Sequence, residues 1–473
     1  MPNHPEITAQ VCHFVEAVRF ESLPHEAIEI GRRCIADALG LYVAGTDEPS
    51  IAILAAEARH QGGREDALLI GAGGVKVPAA MAARVLATAG HAHDWDDTQV
   101  SHDPAHVYGL LTHPTVPPLT ATLVMSQALG GVDGRRFMTA FLAGFEAECK
   151  ISEWMLPDHY RRGHHSSGTV GTLGAAVSAA KLLGLTGEKL RHAIGIAASL
   201  AAGLRCNFGT MTKPLHVGRA AENGVTAALL ASRGFTADPA ALDGRWGMAA
   251  VMAGGYDERK LSQGFGHTWT ICDPGVSIKP YPSGILTHQS MDAMLKLVTD
   301  HNVLPGEVEK VDFFAGKNII EPIRYPLAVN HLQAKFSMAA LLTMMVMSRR
   351  AGRLEFTDAN IQSAAFVDMQ KRISVINDSG IDAMGYDLIR SRIELTRKDG
   401  TKLVQWADER YRGGPLNPMS IADIEGKFSA ATDGLIGKTQ QRALLDLAWR
   451  VETLEDASDI AQAMAFDAPF AGH

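Results

Sequence analysis

The sequence predicts a mainly α protein in which a discontinuous helical domain, built from both ends of the chain, is joined to a smaller α+β domain. From Glu6 to Met252, apolar residues recur at intervals of three and four, the period of an amphipathic helix. Beyond that stretch, Pro and Gly become frequent, and alternating apolar residues flank Asp399-Gly400, which indicates a β-hairpin. After Pro418 the helical period returns. The predicted parts are residues 1–264 and 413–473 for the helical domain and residues 265–412 for the α+β domain.

The recurrence of apolar residues every three or four positions also predicts where the individual helices lie. Pro24 near the start of an early helix and Gly45 at its end follow the usual asymmetry of helix termini. Many later helices are rich in Ala and Gly, which predicts close packing of their backbones. The later helices of the first part are expected at Pro78–Ala92, Pro117–Leu129, Gly134–Trp154, Gly168–Leu183, Gly187–Leu204 and His216–Arg233. The α+β part is expected to contain helices at 289–300 and 336–348, a strand at 307–316 and the hairpin at 391–406.

The amino-acid composition and the net charge argue against nucleic-acid-binding and membrane proteins. The chain has 46% hydrophobic residues and a formal net charge of -8, so it lacks the basic field typical of nucleic-acid binding. No apolar run approaches the length of a membrane span, and the amino terminus does not resemble a signal peptide. We expect a cytoplasmic protein with no nucleic-acid or membrane partner. The five cysteines are scattered without a CxxC pair, which indicates reduced, buried thiols.

The densest group of titratable residues lies in HAHDWDDT, residues 91–98, followed by His102, Asp103, His106 and His113. Histidine, aspartate and threonine beside an Ala-rich helix suit proton transfer and hydrogen bonding to a carboxylate. Two alternatives are open. The residues could cap the helix and form a solvated loop. They could also bind a metal through His91, His93 and Asp94, with Asp96 and Asp97 as further oxygen ligands, in a metal-dependent hydrolase.

A second group, RRGHHSSGTVG at residues 161–171, places His164 and His165 before a helix start rich in Gly, Ser and Thr. This pattern combines a base near neutral pH with free backbone N–H groups that favour a carboxylate. A simple helix cap explains the pattern equally well.

Two further segments contain lysine or arginine residues that could bind an anion. GTMTKPLHVGRAAENG, residues 209–224, contains Lys213 and Arg219 near an Ala/Gly-rich helix start, where a buried cation would require an anion. Solvent exposure of Lys213 is the alternative. SIKPYPSGILTH, residues 277–288, contains Lys279 and His288. Because no Walker loop and no GxGxxG in a strand–helix–strand context occurs, we expect no nucleotide cofactor.

The chain resembles the MmgE/PrpD family, whose members include 2-methylcitrate dehydratase, cis-aconitate decarboxylase and iminodisuccinate epimerase. The resemblance is carried by HDWDDT with LLTHPT, GHHSSGTVGTLG, TKPLHVGRAAENG, IKPYPSGILTH and AKFSMAAL, in that order along the chain. It implies a helical domain formed by both chain ends, an α+β lid domain, a homodimer, no cofactor and an active cleft between the two domains. It places cleft residues at Asp94, Thr98, His113, His165 and Lys213.

The reactions of this family share removal of a proton from a carbon next to a carboxylate, which gives an enolate-like anion that cations stabilise. We expect His165 as the principal base, with Asp94 or the adjacent His164 as alternatives. We expect Lys213, Lys279 or Arg219 as carboxylate ligands, with His288 and His164 as further contacts. We expect an epimerase acting on an iminodisuccinate-type polycarboxylate, with a dehydratase or a decarboxylase as the alternative. The family often has an aromatic residue where this chain has His164, and the animal decarboxylase has a histidine where this chain has Gly284.

Overall fold

The structure is a computed structural model that describes residues 6–99, 112–385, 389–408 and 410–468. Its longer helices are Ile7–Ala17, His25–Ala44, Pro49–Gln61, Ala79–Ala92, Val116–Ala128, Gly134–Trp154, Ser166–Leu182, Gly187–Leu200, Thr212–Ser232, His288–Asp300, Met338–Ser348, Ala364–Lys371, Ile421–Thr432 and Lys438–Trp449. Its strands are Ala67–Leu68, Lys76–Val77, Val308–Ala315, Ile373–Asn377, Ser391–Arg397 and Lys402–Trp406. None of the described helices has the length and apolar composition required to cross a membrane.

The described residues form two large hydrophobic cores and two small buried clusters. The first joins helices near the amino end to the two long helices after Pro418, so both chain ends build one helical unit. The second core lies within residues 281–407, apart from Phe208, and holds the four-stranded sheet and its helices. The predicted mainly α architecture, with a discontinuous helical domain and a smaller α+β domain, is therefore confirmed. The boundaries at residues 264 and 412 stay predictions.

Small residues allow three helices that carry site residues to pack closely. A Cβ atom built on Gly218 would lie 2.0 Å from Oγ1 of Thr88, so helix Thr212–Ser232 packs directly on helix Ala79–Ala92. On another face of the same helix, a Cβ atom on Gly224 would lie 2.5 Å from Cβ of Ala175 in helix Ser166–Leu182. These contacts leave no room for larger side chains. They fix the relative positions of the helix ends that carry the candidate site residues.

The sheet of the α+β domain has the strand order 373–377, 308–315, 391–397, 402–406. The last two strands form the predicted antiparallel hairpin, and Gly400 adopts the left-handed conformation with φ 85° that its turn requires. The first pair is parallel, with Val311 opposite Ile373. Helices His288–Asp300 and Met338–Ser348 pack on this sheet and on each other.

Most predicted helices agree with the observed bounds to within a few residues, and Gly134–Trp154 agrees at both ends. The helix predicted for Gly187–Leu204 ends at Leu200, because the chain turns there into an extended segment in which Leu204 pairs with His164. The helical domain also contains a short antiparallel ladder between residues 67–68 and 76–77, which the sequence analysis did not predict.

Candidate active site

The HDWDDT segment begins at the carboxyl end of helix Ala79–Ala92 and is buried throughout. Asp94 has φ 54°, a left-handed conformation that costs a non-glycine residue about 1–3 kcal/mol. Its neighbours hold it in place: the N–H of Thr98 donates to the carbonyl of Ser277 at 2.9 Å, and Gln99 pairs with Thr112. The segment is thus fixed between the two domains with a strained aspartate at its start.

Two lysines meet at this aspartate. Oδ1 of Asp94 lies 3.0 Å from Nζ of Lys213 and 2.8 Å from Nζ of Lys279. The three side chains are buried, with exposures of 3% for Asp94, 4% for Lys213 and 1% for Lys279. Burial alone would raise the pKa of Asp94, but the two ammonium groups hold it well below its usual range. Asp94 is therefore ionised, and its Oδ2 atom is buried without a hydrogen-bond partner among the described residues.

The two lysines differ in their remaining donors. Nζ of Lys279 has three acceptors, Oδ1 and the carbonyl oxygen of Asp94 and the carbonyl oxygen of Ser283, at 2.8, 3.1 and 3.2 Å. An ammonium group has three N–H donors, so all those of Lys279 are engaged. Lys213 donates to Asp94 and to Nε2 of His91, at 2.9 Å, and has no third acceptor among the described residues. Lys213 thus keeps one N–H available for a ligand.

Asp96 contacts two histidines and accepts a hydrogen bond from one of them. Its Oδ1 atom lies 2.8 Å from Nδ1 of His91, and its Oδ2 atom lies 3.3 Å from Nδ1 of His113. Nδ1 of His113 donates to the carbonyl oxygen of Asp97 at 2.9 Å. Carboxylate and carbonyl oxygens accept only, so both Nδ1 atoms carry the hydrogen and both Nε2 atoms are free of it. Burial lowers the pKa of His91 to about 3 against the opposing charge of Asp96. Burial also lowers the pKa of His113, so both imidazoles are neutral at pH 7.

His165 lies directly before helix Ser166–Leu182 and is 2% exposed. Its Nδ1 atom lies 3.1 Å from Nδ1 of His216, and its ring lies 5.1 Å from that of Phe208. Burial, followed by the nearby charge of Lys213, holds the pKa of His165 well below 6.5. His165 is therefore a neutral base at pH 7.

His164 points away from this group. Its backbone pairs with Leu204, and its ring stacks on His159 with the ring centroids 4.9 Å apart. Neighbouring residues of an extended segment direct their side chains to opposite sides, and His165 has such a backbone, with φ -88° and ψ 105°. The structure thus brings His165, but not His164, into the cleft.

These groups line one cleft of about 510 Å³ between the helical domain and the α+β domain. Its polar wall contains Asp94, Thr98, His113, His165, Lys213 and Lys279. Its opposite wall is mainly apolar and includes Ile285, Leu286, Ile323 and Phe336. The aromatic rings of Phe208 and Phe336 lie 5.2 and 5.5 Å from Nζ of Lys213. Polar and charged groups on one side and apolar groups on the other suit a small anionic ligand with a short carbon skeleton.

Two predicted contacts lie outside the cleft. Arg219 is six positions beyond Lys213 on the same helix, a rotation of about 240° at 100° per residue, so it faces elsewhere. It pairs at 2.7 Å with Glu222, and its side chain is 49% exposed. His288 is fully buried behind Lys279, with Nε2 3.2 Å from the carbonyl oxygen of Ser283. The predicted candidates His102, Asp103 and His106 lie outside the described residues.

The predicted metal alternative is met only in part, because ligand atoms of His91, Asp94, Asp96 and His113 lie within 4.8 Å of one another and His93 is not among them. His93 does not join His91 and Asp94, because its Nε2 atom lies 3.0 Å from Oδ1 of Asp47, on the other side of the segment. Ring nitrogens of His91, His113 and His165 do lie within 4.8 Å of one another, close enough to share an ion. However, the two ring nitrogens of His91 contact Asp96 and Lys213, so a metal would have to displace Lys213.

Separate roles for His91 and Asp96 were not predicted, although the HAHDWDDT segment as a whole was predicted to serve proton transfer. Residues 94 and 96 lie in bends rather than in a regular strand, so no period along the sequence indicates which side chains meet. The aromatic wall formed by Tyr160, Phe208 and Phe336 had no distinguishing sequence signal.

Comparison with known proteins matches both halves of the chain to one family. Residues 9–260 match the MmgE/PrpD N-terminal domain, and residues 281–453 match the MmgE/PrpD C-terminal domain. The cis-aconitate decarboxylase of Homo sapiens is 27% identical over 96% of this chain and 93% of its own length. That of Mus musculus is 26% identical over 96% and 92%, and that of Aspergillus terreus is 23% identical over 96% and 95%. The chain therefore belongs to the MmgE/PrpD family.

Proposed function

We propose that the cleft transfers a proton at a carbon next to a carboxylate group of a small polycarboxylate, without a metal or an organic cofactor. The observation that carries the proposal is the meeting of Lys213 and Lys279 at one buried oxygen of Asp94, beside three neutral histidines. The free N–H of Lys213 is suited to bind a substrate carboxylate or the enolate that develops from it. A neutral imidazole is suited to accept a proton.

In this proposal the residues have separate roles. His165 is the principal base where a C–H proton is removed and a proton donor where carbon dioxide leaves first, and Lys213 is the carboxylate ligand and the proton donor on the other face. Lys279 holds Asp94 in its strained conformation, since its three donors are already engaged. Asp96 fixes the tautomer of His91, and the carbonyl oxygen of Asp97 fixes that of His113. Thr98 and His113, whose Oγ1 and Nδ1 atoms are 3.3 Å apart, orient the substrate.

The reaction that we favour is decarboxylation of cis-aconitate or a close analogue. It is supported by the relatives named cis-aconitate decarboxylase, which align over nearly the whole chain. When the CH₂-linked carboxylate leaves as carbon dioxide, its electron pair forms a new double bond and the old one shifts to the neighbouring carbon. That carbon, which bears a carboxylate, then takes up one proton. A donor such as Lys213 supplies this proton, and no oxidant or reductant is required.

Epimerisation of an iminodisuccinate-type substrate is the second candidate. It is supported by Gly284, which lines the cleft where the resemblance places a histidine in the animal decarboxylase. Without that histidine the cleft still has a base, His165, and an acid, Lys213. These are the two groups that inversion requires. Dehydration of a 2-methylcitrate-type substrate would need the same pair.

One experiment distinguishes the three reactions. The purified protein is incubated separately with cis-aconitate, 2-methylcitrate and an enantiopure iminodisuccinate-type substrate, and products are followed by NMR and carbon dioxide release. We expect carbon dioxide and a dicarboxylate from cis-aconitate. If only the iminodisuccinate-type substrate reacts, and its configuration is inverted, the protein is an epimerase rather than a decarboxylase. If only 2-methylcitrate reacts, with loss of water, the protein is a dehydratase. Absence of all three reactions would contradict the proposal.

We also propose that the chain forms a homodimer through its helical domain. Large apolar side chains are exposed in residues 200–251, including Phe235 at 58%, Trp246 at 81% and Val251 at 61%. Such exposure is typical of protein interfaces. Light scattering should give twice the 50.6 kDa chain mass, and Trp246→Glu should shift it towards the monomer. A monomeric wild-type protein would contradict this proposal.

A further inference from the structure

A second cavity, which we call the rear cavity, lies behind the active cleft. It is walled by the loop 349–355 and by one face of helix Ile421–Thr432. Its wall also includes Trp95 and Pro280, which directly follow Asp94 and Lys279 in the chain. The same two short segments therefore face the active cleft on one side and the rear cavity on the other.

The rear cavity is basic although the whole chain is acidic. Six cationic and three acidic residues line it, whereas the chain has a net charge of -8. Two of the acidic groups have local partners: Glu355 accepts from Arg350 at 2.6 Å, and Asp423 accepts from Ser420 at the start of its own helix. The cavity thus has an excess of positive charge near its rim.

Two of the cations have no carboxylate partner in the part of the chain that the structure describes, and a third, Arg412, donates its backbone N–H to Oδ2 of Asp292 at 3.2 Å. Arg349 donates to Oδ1 of Asn302 at 3.1 Å, and Lys438 donates to Oε1 of Gln441 at 3.1 Å. The guanidinium of Arg412 lies 5.4 Å from the ring centre of Tyr281. Guanidinium groups bind carboxylate and phosphate oxygens in pairs of parallel hydrogen bonds.

Two further features of the wall indicate a ligand. Trp95 is 3% exposed, and its Nε1–H has no acceptor among the described residues, a cost that a ligand oxygen would remove. Gly426 stands in the middle of a helix, where glycine costs about 0.5–1 kcal/mol relative to alanine. A Cβ atom there would have no neighbour within 4 Å, so packing does not explain the glycine.

From these features we propose that the rear cavity is a second site for a small anion with at least two negative charges, in the form of carboxylate or phosphate groups, and that its occupancy restrains the segment carrying Asp94. The coupling runs through Trp95. Its carbonyl oxygen accepts from Nζ of Lys427 at 2.8 Å, and its ring lies 5.2 Å from the same atom. A ligand that satisfies the indole N–H holds Trp95 and, with it, the left-handed backbone of Asp94.

Calorimetric titration of the full chain with citrate and, separately, with inorganic phosphate tests the site and distinguishes the two anion types. We expect saturable binding of at least one anion, weakened about tenfold or more in the double variant Arg349→Gln/Arg412→Gln. Gly426→Phe should place its ring in the cavity and weaken binding strongly, whereas Gly426→Ala, which adds one methyl group, should weaken binding less. Lys213→Ala should retain binding, because it changes only the active cleft.

Coupling is measured by hydrogen–deuterium exchange of the peptide containing residues 93–99, which does not depend on catalytic activity. Added anion should slow exchange of this peptide in the wild type and in Gly426→Ala, but not in the double arginine variant. Absence of binding of either anion overturns the proposal. Binding that the rear-cavity variants leave unchanged and Lys213→Ala removes assigns the anion to the active cleft and also overturns it. Binding without slower exchange overturns the coupling. If Gly426→Phe does not fold, anion binding by the double variant Arg349→Gln/Arg412→Gln tests the site instead.

Discussion

Nε2 of His91 accepts a hydrogen bond from Nζ of Lys213 at 2.9 Å, and this contact links the carboxylate of Asp96 to the cleft lysine that keeps a donor without an acceptor among the described residues. The chain Asp96–His91–Lys213 fixes the direction of that donor. It also keeps His91 in the tautomer whose Nε2 atom accepts. The position of Lys213 therefore depends on a carboxylate that it does not touch.

The first prediction concerns Asp96. Asp96→Asn should lower turnover by roughly 10²-fold or more, because an amide allows the wrong tautomer of His91. The matched control is Asp97→Asn. Burial raises the pKa of Asp97 to about 7, so its carboxyl is already partly neutral, and a smaller loss is expected. Turnover of the two folded variants is measured by steady-state kinetics. An equal loss of turnover in both variants would contradict the assigned role of Asp96.

The second prediction separates the two adjacent histidines. His165→Gln should lower turnover by roughly 10²-fold or more, the scale of general acid–base catalysis, without loss of folding. His164→Gln should change turnover little, since its ring stacks on His159 outside the cleft. If kinetics show the reverse, the base must be reassigned to His164.

The third prediction is the pH dependence. The pKa of His165 is held well below 6.5, so the neutral base is present at pH 7 and activity should fall only as pH drops through that lowered value. Burial lowers the pKa of Lys213 from 10.5, so the proton donor is lost as pH rises through its lowered value. The profile of kcat/KM should be bell-shaped. Its alkaline limb should be absent in Lys213→Ala, which should also raise KM, and persistence of that limb would rule out Lys213 as the acid.

The fourth prediction concerns stability. Gly218→Ala should destabilise the protein by about 1–3 kcal/mol, because the new Cβ atom would lie 2.0 Å from Oγ1 of Thr88. Gly426→Ala is the matched control, a helical glycine with no neighbour within 4 Å of its Cβ position. It should stabilise the protein by about 0.5–1 kcal/mol. Denaturant unfolding measures both, and similar effects would contradict the packing account.

The sequence predicted best those features that depend on neighbours along the chain. Helix Gly134–Trp154 was predicted at both ends, and its start is capped by the side chain of Asp133, which accepts from the N–H of Arg136 at 3.0 Å. The hairpin around Asp399-Gly400 was also predicted, because its turn and its two strands are adjacent in the sequence. Strand Ile373–Asn377 was not predicted, because its parallel pairing with a strand far away in the sequence leaves no local signal.

For the site, the motifs predicted the residue types but not their directions. The resemblance named Asp94, His165 and Lys213, and all three line the cleft. Arg219 was also predicted as a substrate contact but does not line the cleft. The step of six positions from Lys213 turns its side chain to another face of the helix. Charge alone could not show that the three donors of Lys279 are already engaged, since that depends on a tertiary contact.

The most direct test of the central claim is solvent deuterium incorporation by protein shown to be metal-free after chelation. Incubated with cis-aconitate in deuterated water, it should release carbon dioxide and place one deuterium on a carbon next to a carboxylate, as shown by NMR. His165→Gln and Lys213→Ala should each slow this incorporation, whereas His164→Gln should not. If the metal-free protein neither exchanges nor turns over any of the three polycarboxylates, and one metal ion restores the activity, cofactor-independent proton transfer at Asp94, His165 and Lys213 is contradicted.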